Sequence, residues 1–246
     1  DWYEFTSTLL GGFPEPQTFG NRAHNYMMDK NYDVVIDNQS ISYGAIKIQD
    51  VFPLIEIMHH PISKDYFYDL KFAKGILQRL SKIRWYSFLK MQKRAAKKIN
   101  TVVTPSMNSK EDINIDFKVP IENIHVIPNG IDCEVFCPLP QIQSKKYRLI
   151  TTASADVPLK GLDFSLKAMA RLKPEYSDIH LIVIGSPRKE GHTERLIKKL
   201  KLEEHISFKT NLTKDEIAYE YARSEVAIVS SLYEGFGFPV GEAMAC

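Results

Sequence analysis

The most informative part of the chain is its C-terminal stretch, residues 231–246, which reads SLYEGFGFPVGEAMAC. The run VAIVS at 226–230 precedes it and is short, apolar and β-branched, which predicts a buried strand. The glycines of the Gly-Phe-Gly turn allow the backbone to approach a ligand closely. Pro239 is suited to the first turn of a helix. Glu242 would then lie in that first turn, where exposed N–H groups stabilise a carboxylate. A strand, a glycine loop and a helix N-terminus in succession predict a ligand site at the carboxyl edge of an α/β sheet.

Strands and helices alternate along the chain upstream of this stretch. In the second half, strands are predicted at 148–152, 180–184, 205–208 and 226–230, and helices at 162–172, 193–202 and 213–223. In the first half, strands are predicted at 32–37, 54–58, 101–104 and 125–127, with a helix at 41–50 and a long helical region that ends near residue 99. Strands that alternate with helices of about ten residues imply parallel sheets covered on both faces.

The length of the chain fits one large domain or two modest domains. The polar, proline-flanked stretch at 138–146 is the best candidate for a linker. We therefore predict one domain over residues 1–140 and a second over 141–246.

Composition narrows the class of protein. The hydrophobic content of 44% is that of a soluble globular protein, and the formal charge of +2 is too small to indicate a nucleic-acid partner. No apolar run reaches the roughly 18 residues that a membrane span needs. Three cysteines do not form a disulfide framework, so we expect reduced thiols and a cytoplasmic location.

The two ends of the chain suggest a piece of a longer protein. It opens at Asp1 without an initiator methionine, and it ends at Cys246 within the helix that carries Glu242. We expect further structure on both sides, and a signal or anchor outside the sequence stays open.

Glu234 and Glu242 lie eight positions apart within the phrases YEGFGFP and GEAMA. This stretch resembles the Glu-x7-Glu motif of the retaining family-4 glycosyltransferases. The phrase IPNGID at 127–132 and the phrase VVTPS at 102–106 resemble other parts of the same family in the same order. The resemblance implies the GT-B fold, in which two Rossmann-like domains with parallel sheets face each other across a cleft, both incomplete in this chain.

The resemblance also implies roles for the residues of this motif. Glu242 would bind the ribose hydroxyls of a nucleotide, since a carboxylate accepts two hydrogen bonds from a vicinal diol. Glu234 would hold hydroxyls of the transferred sugar. The backbone N–H groups of Gly235, Phe236 and Gly237 would cradle the donor.

A second element follows the strand at 148–152, where the chain reads ASADVPLKGLD. Lys160 stands directly before a predicted helix, and a lysine beside free helix N–H groups can neutralise a diphosphate. The family places an arginine shortly before this lysine, but here residues 153–156 read ASAD. A positive charge is therefore missing or supplied from elsewhere, and the hydroxyl of Ser154 could replace some of its contacts.

A pair of histidines follows the strand at 54–58. The family carries a histidine at the end of the corresponding strand, facing the donor sugar, and a histidine can donate a hydrogen bond or move a proton near neutral pH. His59 fits best by its distance from the strand, and His60 is the alternative.

The expected function follows from these motifs. The resemblance implies a hexosyltransferase that moves a sugar from a nucleotide-diphosphate sugar, UDP first and GDP next, to a glycan or lipid-linked acceptor in cell-envelope synthesis. No Asp-x-Asp motif is present, so we expect neither a metal nor another cofactor. The alternatives are a non-catalytic nucleotide-sugar-binding subunit and another GT-B enzyme such as an epimerase or phosphorylase.

A basic segment suggests a membrane partner. Between Lys71 and Lys110 the chain has eleven lysines and arginines and no acidic residue. Projected as one helix, the part from residue 82 to residue 99 has two faces. The apolar face holds Trp85, Phe88, Leu89, Gln92, Ala95, Ala96 and Ile99, and the basic face holds Lys82, Arg84, Lys90, Lys93, Arg94, Lys97 and Lys98. The helix is predicted to pack on the core, and its charges could also dock on anionic lipid, at about 1 kcal/mol per basic residue.

Overall fold

Two parallel β-sheets, one in each half of the chain, organise the fold. The computed structural model describes residues 2–9, 14–153 and 155–246. They form two units, Asp1–Asn129 and Gly130–Cys246, each with its own sheet and its own hydrophobic core. The division into domains after residue 140 stays a prediction.

The first unit contains a sheet of four parallel strands in the order β1-β2-β3-β4. The strands are β1 (Val35–Asn38), β2 (Leu54–Ile57), β3 (Val102–Thr104) and β4 (Ile124–Val126). The helices are α1 (Trp2–Leu9), α2 (Glu15–Met27), α3 (Tyr43–Gln49), α4 (Ser63–Phe72), α5 (Ile76–Trp85), α6 (Leu89–Ala96) and α7 (Met107–Phe117). Each strand predicted in this half of the chain has its counterpart here.

Helices α2 and α3 cross closely because each has a glycine at the crossing point. A Cβ atom on Gly44 would lie 2.0 Å from the backbone of Gly20, so no larger side chain fits there. Ser42 caps α3, since its hydroxyl accepts a hydrogen bond from the backbone N–H of Ala45 at 3.2 Å. The helix predicted at 41–50 is therefore confirmed.

The basic segment predicted as one helix is broken in two. Helix α5 ends at Trp85, a 3-10 turn covers Tyr86–Phe88, and α6 begins at Leu89. On α6 the predicted apolar face is confirmed, since Ala95 and Ala96 are fully buried. The prediction that Trp85 shares this face is wrong. Trp85 is the last residue of α5, before the break, and its side chain is 51% exposed.

The second unit also contains four parallel strands, in the order β7-β6-β5-β8. The strands are β5 (Lys145–Thr152), β6 (His180–Ile184), β7 (Ile206–Lys209) and β8 (Ser224–Ala227). The helices are α8 (Leu162–Leu172), α9 (His192–Leu200), α10 (Lys214–Ala222) and α11 (Phe238–Ala245). The predicted capping box of α10 is confirmed, with Thr213 and Glu216 hydrogen-bonded to each other's backbone.

One strand of this sheet differs from its prediction. The apolar run at 226–230 predicts a buried strand, but β8 covers Ser224–Ala227 and lies at the edge of the sheet. The side chain of Val226 is 49% exposed, so the prediction of burial is wrong. An apolar run does not by itself ensure burial, and within the described residues no strand pairs with the outer edge of β8.

A buried ion cluster fixes α10 to the sheet. Glu220 accepts hydrogen bonds from the guanidinium of Arg148 on β5 and from Nζ of Lys209 on β7, the latter at 2.6 Å. Arg148 and Glu220 are both buried, and burial lowers the pKa of Arg148. Removing one partner of such a cluster leaves an unpaired buried charge, so these contacts define how α10 sits on the sheet.

No helix in the described part of the chain is long and apolar enough to cross a bilayer. Its three cysteines, Cys133, Cys137 and Cys246, are free thiols.

Candidate functional site

The loops that follow β5 and β8 meet at the carboxyl edge of the second sheet. The backbone N–H of Leu232 donates to the carbonyl of Leu159 at 2.8 Å, and the hydroxyl of Ser230 donates to the carbonyl of Gly161 at 2.9 Å. Gly161 has a φ of +67°, and a Cβ atom there would lie 1.9 Å from the carbonyl oxygen of Ser230. Glycine is therefore required at this point, because it lets the two loops come together.

This meeting of loops brings together two residues to which the sequence assigns separate tasks. Nζ of Lys160 lies 2.9 Å from Oε1 of Glu234, and both side chains are partly exposed, at 32% and 26%. The residues stand 74 positions apart in the chain. The pair places a cation and a carboxylate side by side at the sheet edge, where a ligand can exchange contacts with both.

The glycine loop runs from β8 to the start of α11. Gly237 has a φ of +88°, a left-handed conformation that glycine adopts without strain, and it precedes the first residue of the helix. Pro239 lies in the first helical turn, as predicted. Gly235 and Phe236 lie on the same loop, and their contact with a donor stays a prediction.

Glu242 lies on α11, but not where the sequence places it. The helix begins at Phe238, so Glu242 falls in the second turn, and the prediction that it lies in the first is wrong. Burial raises its pKa, and a hydrogen bond with Tyr221 and the charge of Lys214 offset part of that rise. The carboxylate is partly exposed, so it can accept hydrogen bonds from a ligand.

Tyr221 links Glu242 to the end of the central strand β5. Its hydroxyl lies 2.8 Å from Oγ1 of Thr152, the last residue of β5. Burial, together with the nearby carboxylate, raises the pKa of Tyr221 to about 12, so the phenol stays protonated and can donate. The phenol therefore connects helix α11 with the carboxyl edge of the sheet.

The predicted donor-side residue Ser154 lies outside the described residues. Its neighbour Asp156, which sequence reasoning did not select, makes three contacts with the loop that follows β6. Its carboxylate accepts from the backbone N–H groups of Arg188 and Thr193, each at 2.8 Å, and its own N–H donates to Oγ1 of Thr193 at 3.2 Å. Burial opposes ionisation of Asp156, but these N–H groups outweigh it and lower its pKa.

The first unit holds the two candidate histidines directly after β2. Nε2 of His59 lies 2.7 Å from Oδ1 of Asn38, and its backbone N–H donates to Oε1 of Gln39 at 2.8 Å. His60 instead pairs through Nε2 with Asp65 of α4 at 2.7 Å. The two rings thus have different partners, and the role of each stays a prediction.

A buried carboxyl group lies below this loop and was not selected from the sequence. Glu56 of β2 is fully buried, and neither carboxyl oxygen has a hydrogen-bond partner of normal geometry among the described residues. Burial, with the charge of Asp37 opposite it on β1, raises the pKa of Glu56 to about 10. The signal was present in the sequence, since Leu54, Glu56 and Met58 alternate onto one face of the strand.

No cluster of three or more histidine, cysteine or acidic side chains in the described part of the chain could hold a metal ion.

Both halves of the chain resemble known proteins in sequence. A family model described as Glycosyltransferase Family 4 matches residues 5–135, and one described as Glycosyl transferases group 1 matches residues 140–246. The chain is 40% identical to an MMP alpha-(1->4)-mannosyltransferase of Mycolicibacterium hassiacum, over 100% of the chain and 59% of the relative. It is 31% identical to a D-inositol 3-phosphate glycosyltransferase of Kineococcus radiotolerans, over 49% of the chain and 32% of that relative. The chain thus spans less than two thirds of either relative's length.

Several solved structures have a fold similar to that of this chain. Sucrose-phosphate synthase from Thermosynechococcus elongatus superposes with a TM-score of 0.71 at 20% identity, over 93% of the chain and 57% of that structure. HepE from Anabaena, solved in complex with UDP and glucose, superposes with a TM-score of 0.63 at 18% identity, over 93% of the chain and 59% of that structure. The predicted α/β fold of the GT-B type, with two Rossmann-like parallel sheets, is confirmed.

Proposed function

Because the chain belongs to glycosyltransferase family 4, we propose that it transfers a hexosyl group from a nucleotide-diphosphate sugar to a hydroxyl group of an acceptor, with retention of configuration. One observation carries the proposal: Lys160 and Glu234 are held 2.9 Å apart beside the glycine loop. Cleavage of a nucleotide-sugar needs a cation for the departing diphosphate and an acceptor of hydrogen bonds for the sugar. This pair supplies both groups at one place.

In the proposed reaction the bond between the anomeric carbon and the diphosphate oxygen breaks first. The acceptor oxygen then attacks the oxocarbenium-like carbon from the face that the diphosphate has left, and the proton of the acceptor hydroxyl passes to the departing diphosphate oxygen. Lys160 stabilises the charge that develops on the diphosphate, and Glu234 orients the sugar through its hydroxyls. Glu242 holds the ribose, so the energy of binding the nucleotide serves to position the reacting carbon.

The donor and acceptor are proposed by class. UDP is the first candidate for the nucleotide and GDP the second, and the UDP-bound structure of HepE supports the former. A mannosyltransferase among the relatives supports transfer of a hexose. We propose a glycan or lipid-linked acceptor of cell-envelope synthesis, with His59 contacting the donor sugar and His60 as the alternative.

If Glu242 binds the ribose of the donor, its replacement by alanine should abolish the thermal stabilisation of the protein by a nucleotide. A carboxylate that accepts two hydrogen bonds from a diol contributes enough that affinity should fall about tenfold or more. The measurement is a thermal-shift titration of the protein with UDP, GDP, CDP and ADP. Met244→Ala is the matched control, since Met244 is on the same helix and 82% exposed.

One diphosphate should stabilise the protein and the Met244→Ala variant, but not Glu242→Ala. The Glu242→Ala variant without ligand should be no less stable than the parent, because the raised pKa of Glu242 indicates a carboxylate that burial disfavours. Equal stabilisation of all three proteins would mean that Glu242 does not bind the ribose. If no nucleotide stabilised the parent protein, the proposed function would be contradicted.

A non-catalytic nucleotide-sugar-binding subunit is the second candidate. It is favoured by residues 153–156, which read ASAD and lack the arginine of the family. Such a protein would bind the donor without consuming it. Release of free nucleoside diphosphate from the donor in the presence of acceptor therefore separates the two candidates.

We further propose that the first unit docks on anionic lipid through α5. This helix has no buried residue, and it exposes Ile76, Leu77 and Leu80 at 77%, 84% and 55%. Arg79 and Arg84 lie on the same helix, which has no acidic residue, and its third cation, Lys82, is paired with Asp69 of α4 at 2.7 Å. An apolar strip beside a cluster of cations is the pattern of a helix that lies in a lipid interface.

If α5 binds lipid, a double variant with Leu77→Ser and Leu80→Ser should bind vesicles of phosphatidylcholine and phosphatidylserine about tenfold or more weakly than the parent protein. Both side chains are exposed, so the fold should tolerate the change. Ile115→Ser is the matched control, since Ile115 is 59% exposed on α7 of the same unit. Co-sedimentation with vesicles measures the effect, and unchanged binding of the double variant would rule out α5 as the lipid-binding surface.

A further inference from the structure

The donor site has a charge deficit. A departing nucleoside diphosphate carries at least two negative charges, and enzymes that cleave such bonds stabilise them with several cations or N–H donors. The loop from β5 to α8, residues 153–161, contains one cation, Lys160. That cation is already paired with Glu234, and the same loop contains the negatively charged Asp156. Any second positive charge therefore comes from outside this loop.

Asp156 fixes the neighbouring loop in place. Its two carboxylate oxygens accept separately from the backbone N–H groups of Arg188 and Thr193, and Thr193 is 1% exposed. A Cβ atom on Gly191 would lie 2.8 Å from Oδ2 of Asp156 and 2.6 Å from the carbonyl oxygen of Arg188, so the turn is tight. The carboxylate of Asp156 therefore anchors the β6–α9 loop beside the loop of Lys160.

This anchoring places Arg188 at the carboxyl edge of β6, next to β5. The residue is exposed, and its charge helps to lower the pKa of Asp156, so the guanidinium lies within electrostatic reach of the Lys160 loop. No salt bridge to Arg188 is found within the described residues. By contrast, Lys209 at the end of β7 is paired with Glu220, and Lys214 lies 3.5 Å from Asp132.

Two carboxylates near this loop, those of Glu194 and Asp163, have other partners. Glu194 accepts from the backbone N–H of Glu190 at 2.7 Å, and Asp163 pairs with His192 at 2.7 Å. These contacts leave the guanidinium of Arg188 as a cation available to an incoming anion. Its planar, forked donors match the oxygens of a phosphate, which a lysine contacts only as a point charge.

We propose that Arg188 supplies the second positive charge for the donor diphosphate, in place of the arginine that residues 153–156 lack. This inference rests on the proposed function. Asp156 is then a positioning residue, since it holds the backbone of Arg188 and not the ligand. Two loops would then bind the diphosphate, one through Lys160 and the other through Arg188.

The test compares diphosphate with monophosphate. Isothermal titration measures the affinities of UDP, UMP, GDP and GMP for the protein and for Arg188→Ala, Arg188→Lys and Lys189→Ala. Arg188→Ala should weaken binding of the diphosphate about tenfold or more while the monophosphate changes less. Arg188→Lys should restore part of the loss, and Lys189→Ala, an exposed neighbour, should behave as the parent.

The outcomes separate this inference from the function on which it rests. If the parent binds a diphosphate and Glu242→Ala does not, but Arg188→Ala and Lys189→Ala bind equally well, the proposed function stands and the role of Arg188 is wrong. Equal losses for diphosphate and monophosphate would also overturn it, because they would indicate a general distortion of the loop. If the parent binds no nucleotide, both proposals fail.

Discussion

Replacing Glu56 by glutamine is expected to raise the free energy of unfolding at neutral pH, by up to about 3 kcal/mol. The carboxyl group is fully buried, and its pKa is raised to about 10 by burial and by the charge of Asp37. The folded protein therefore keeps a proton that the unfolded chain releases. Glutamine is uncharged in both states, so it removes that cost.

The sign of the pH dependence follows from the direction of the shift. The folded pKa lies above the ordinary value of 4.5, so this group's contribution to stability is fully present below about pH 4.5 and is lost as the pH rises towards 10. Relative to Glu56→Gln, the parent should lose about 1.4 kcal/mol per pH unit across that window. The two proteins should differ little at pH 4.

Urea unfolding of the parent and the variant at pH 4, 6 and 8 measures this dependence. Glu111→Gln is the matched control, because Glu111 is exposed in the same unit and should leave the curve unchanged. Parallel stability curves for the parent and Glu56→Gln would mean that Glu56 is ionised in the folded state.

The local structure of this protein was largely predictable because its signals are local. A serine or threonine cap, a proline at a helix start and an apolar period each act within a few residues, as the capping box at Thr213 illustrates. The break at Tyr86–Phe88 was not predictable in this way. No glycine or proline marks it, and the two helices differ in burial: α5 has no buried residue, whereas α6 buries Ala95 and Ala96.

The sequence predicts which residues form the candidate site, but it does not predict their contacts. The motif indicated Lys160 and Glu234 separately, yet nothing in the sequence states that residues 74 positions apart meet. Their contact depends on Gly161, whose missing side chain lets the Ser230 loop approach. Asp156 was passed over for a similar reason, since its partners are backbone N–H groups of a loop that residue types do not reveal.

Loss of the Lys160–Glu234 pair is expected to have the largest effect on catalysis. Lys160→Ala should lower kcat about 10²–10³-fold, the usual cost of removing one group that stabilises charge in a transition state. Glu234→Ala should also lower kcat, both because sugar hydroxyls lose their acceptor and because Lys160 loses the partner that positions it. Lys167→Ala is the control, since Lys167 is an exposed lysine of α8.

The double variant distinguishes a cooperating pair from two independent residues. If Lys160 and Glu234 act as one unit, Lys160→Ala combined with Glu234→Ala should lose little more activity than the more damaged single variant. Steady-state kinetics with a saturating acceptor give kcat and KM for all four proteins, and nucleotide titration checks that the ribose end still binds through Glu242. Losses that multiply would show that the 2.9 Å contact has no part in the transition state. Losses that do not multiply would mean that the lysine reaches the diphosphate only when the carboxylate holds it, because an unpaired flexible side chain at the sheet edge has many other conformations.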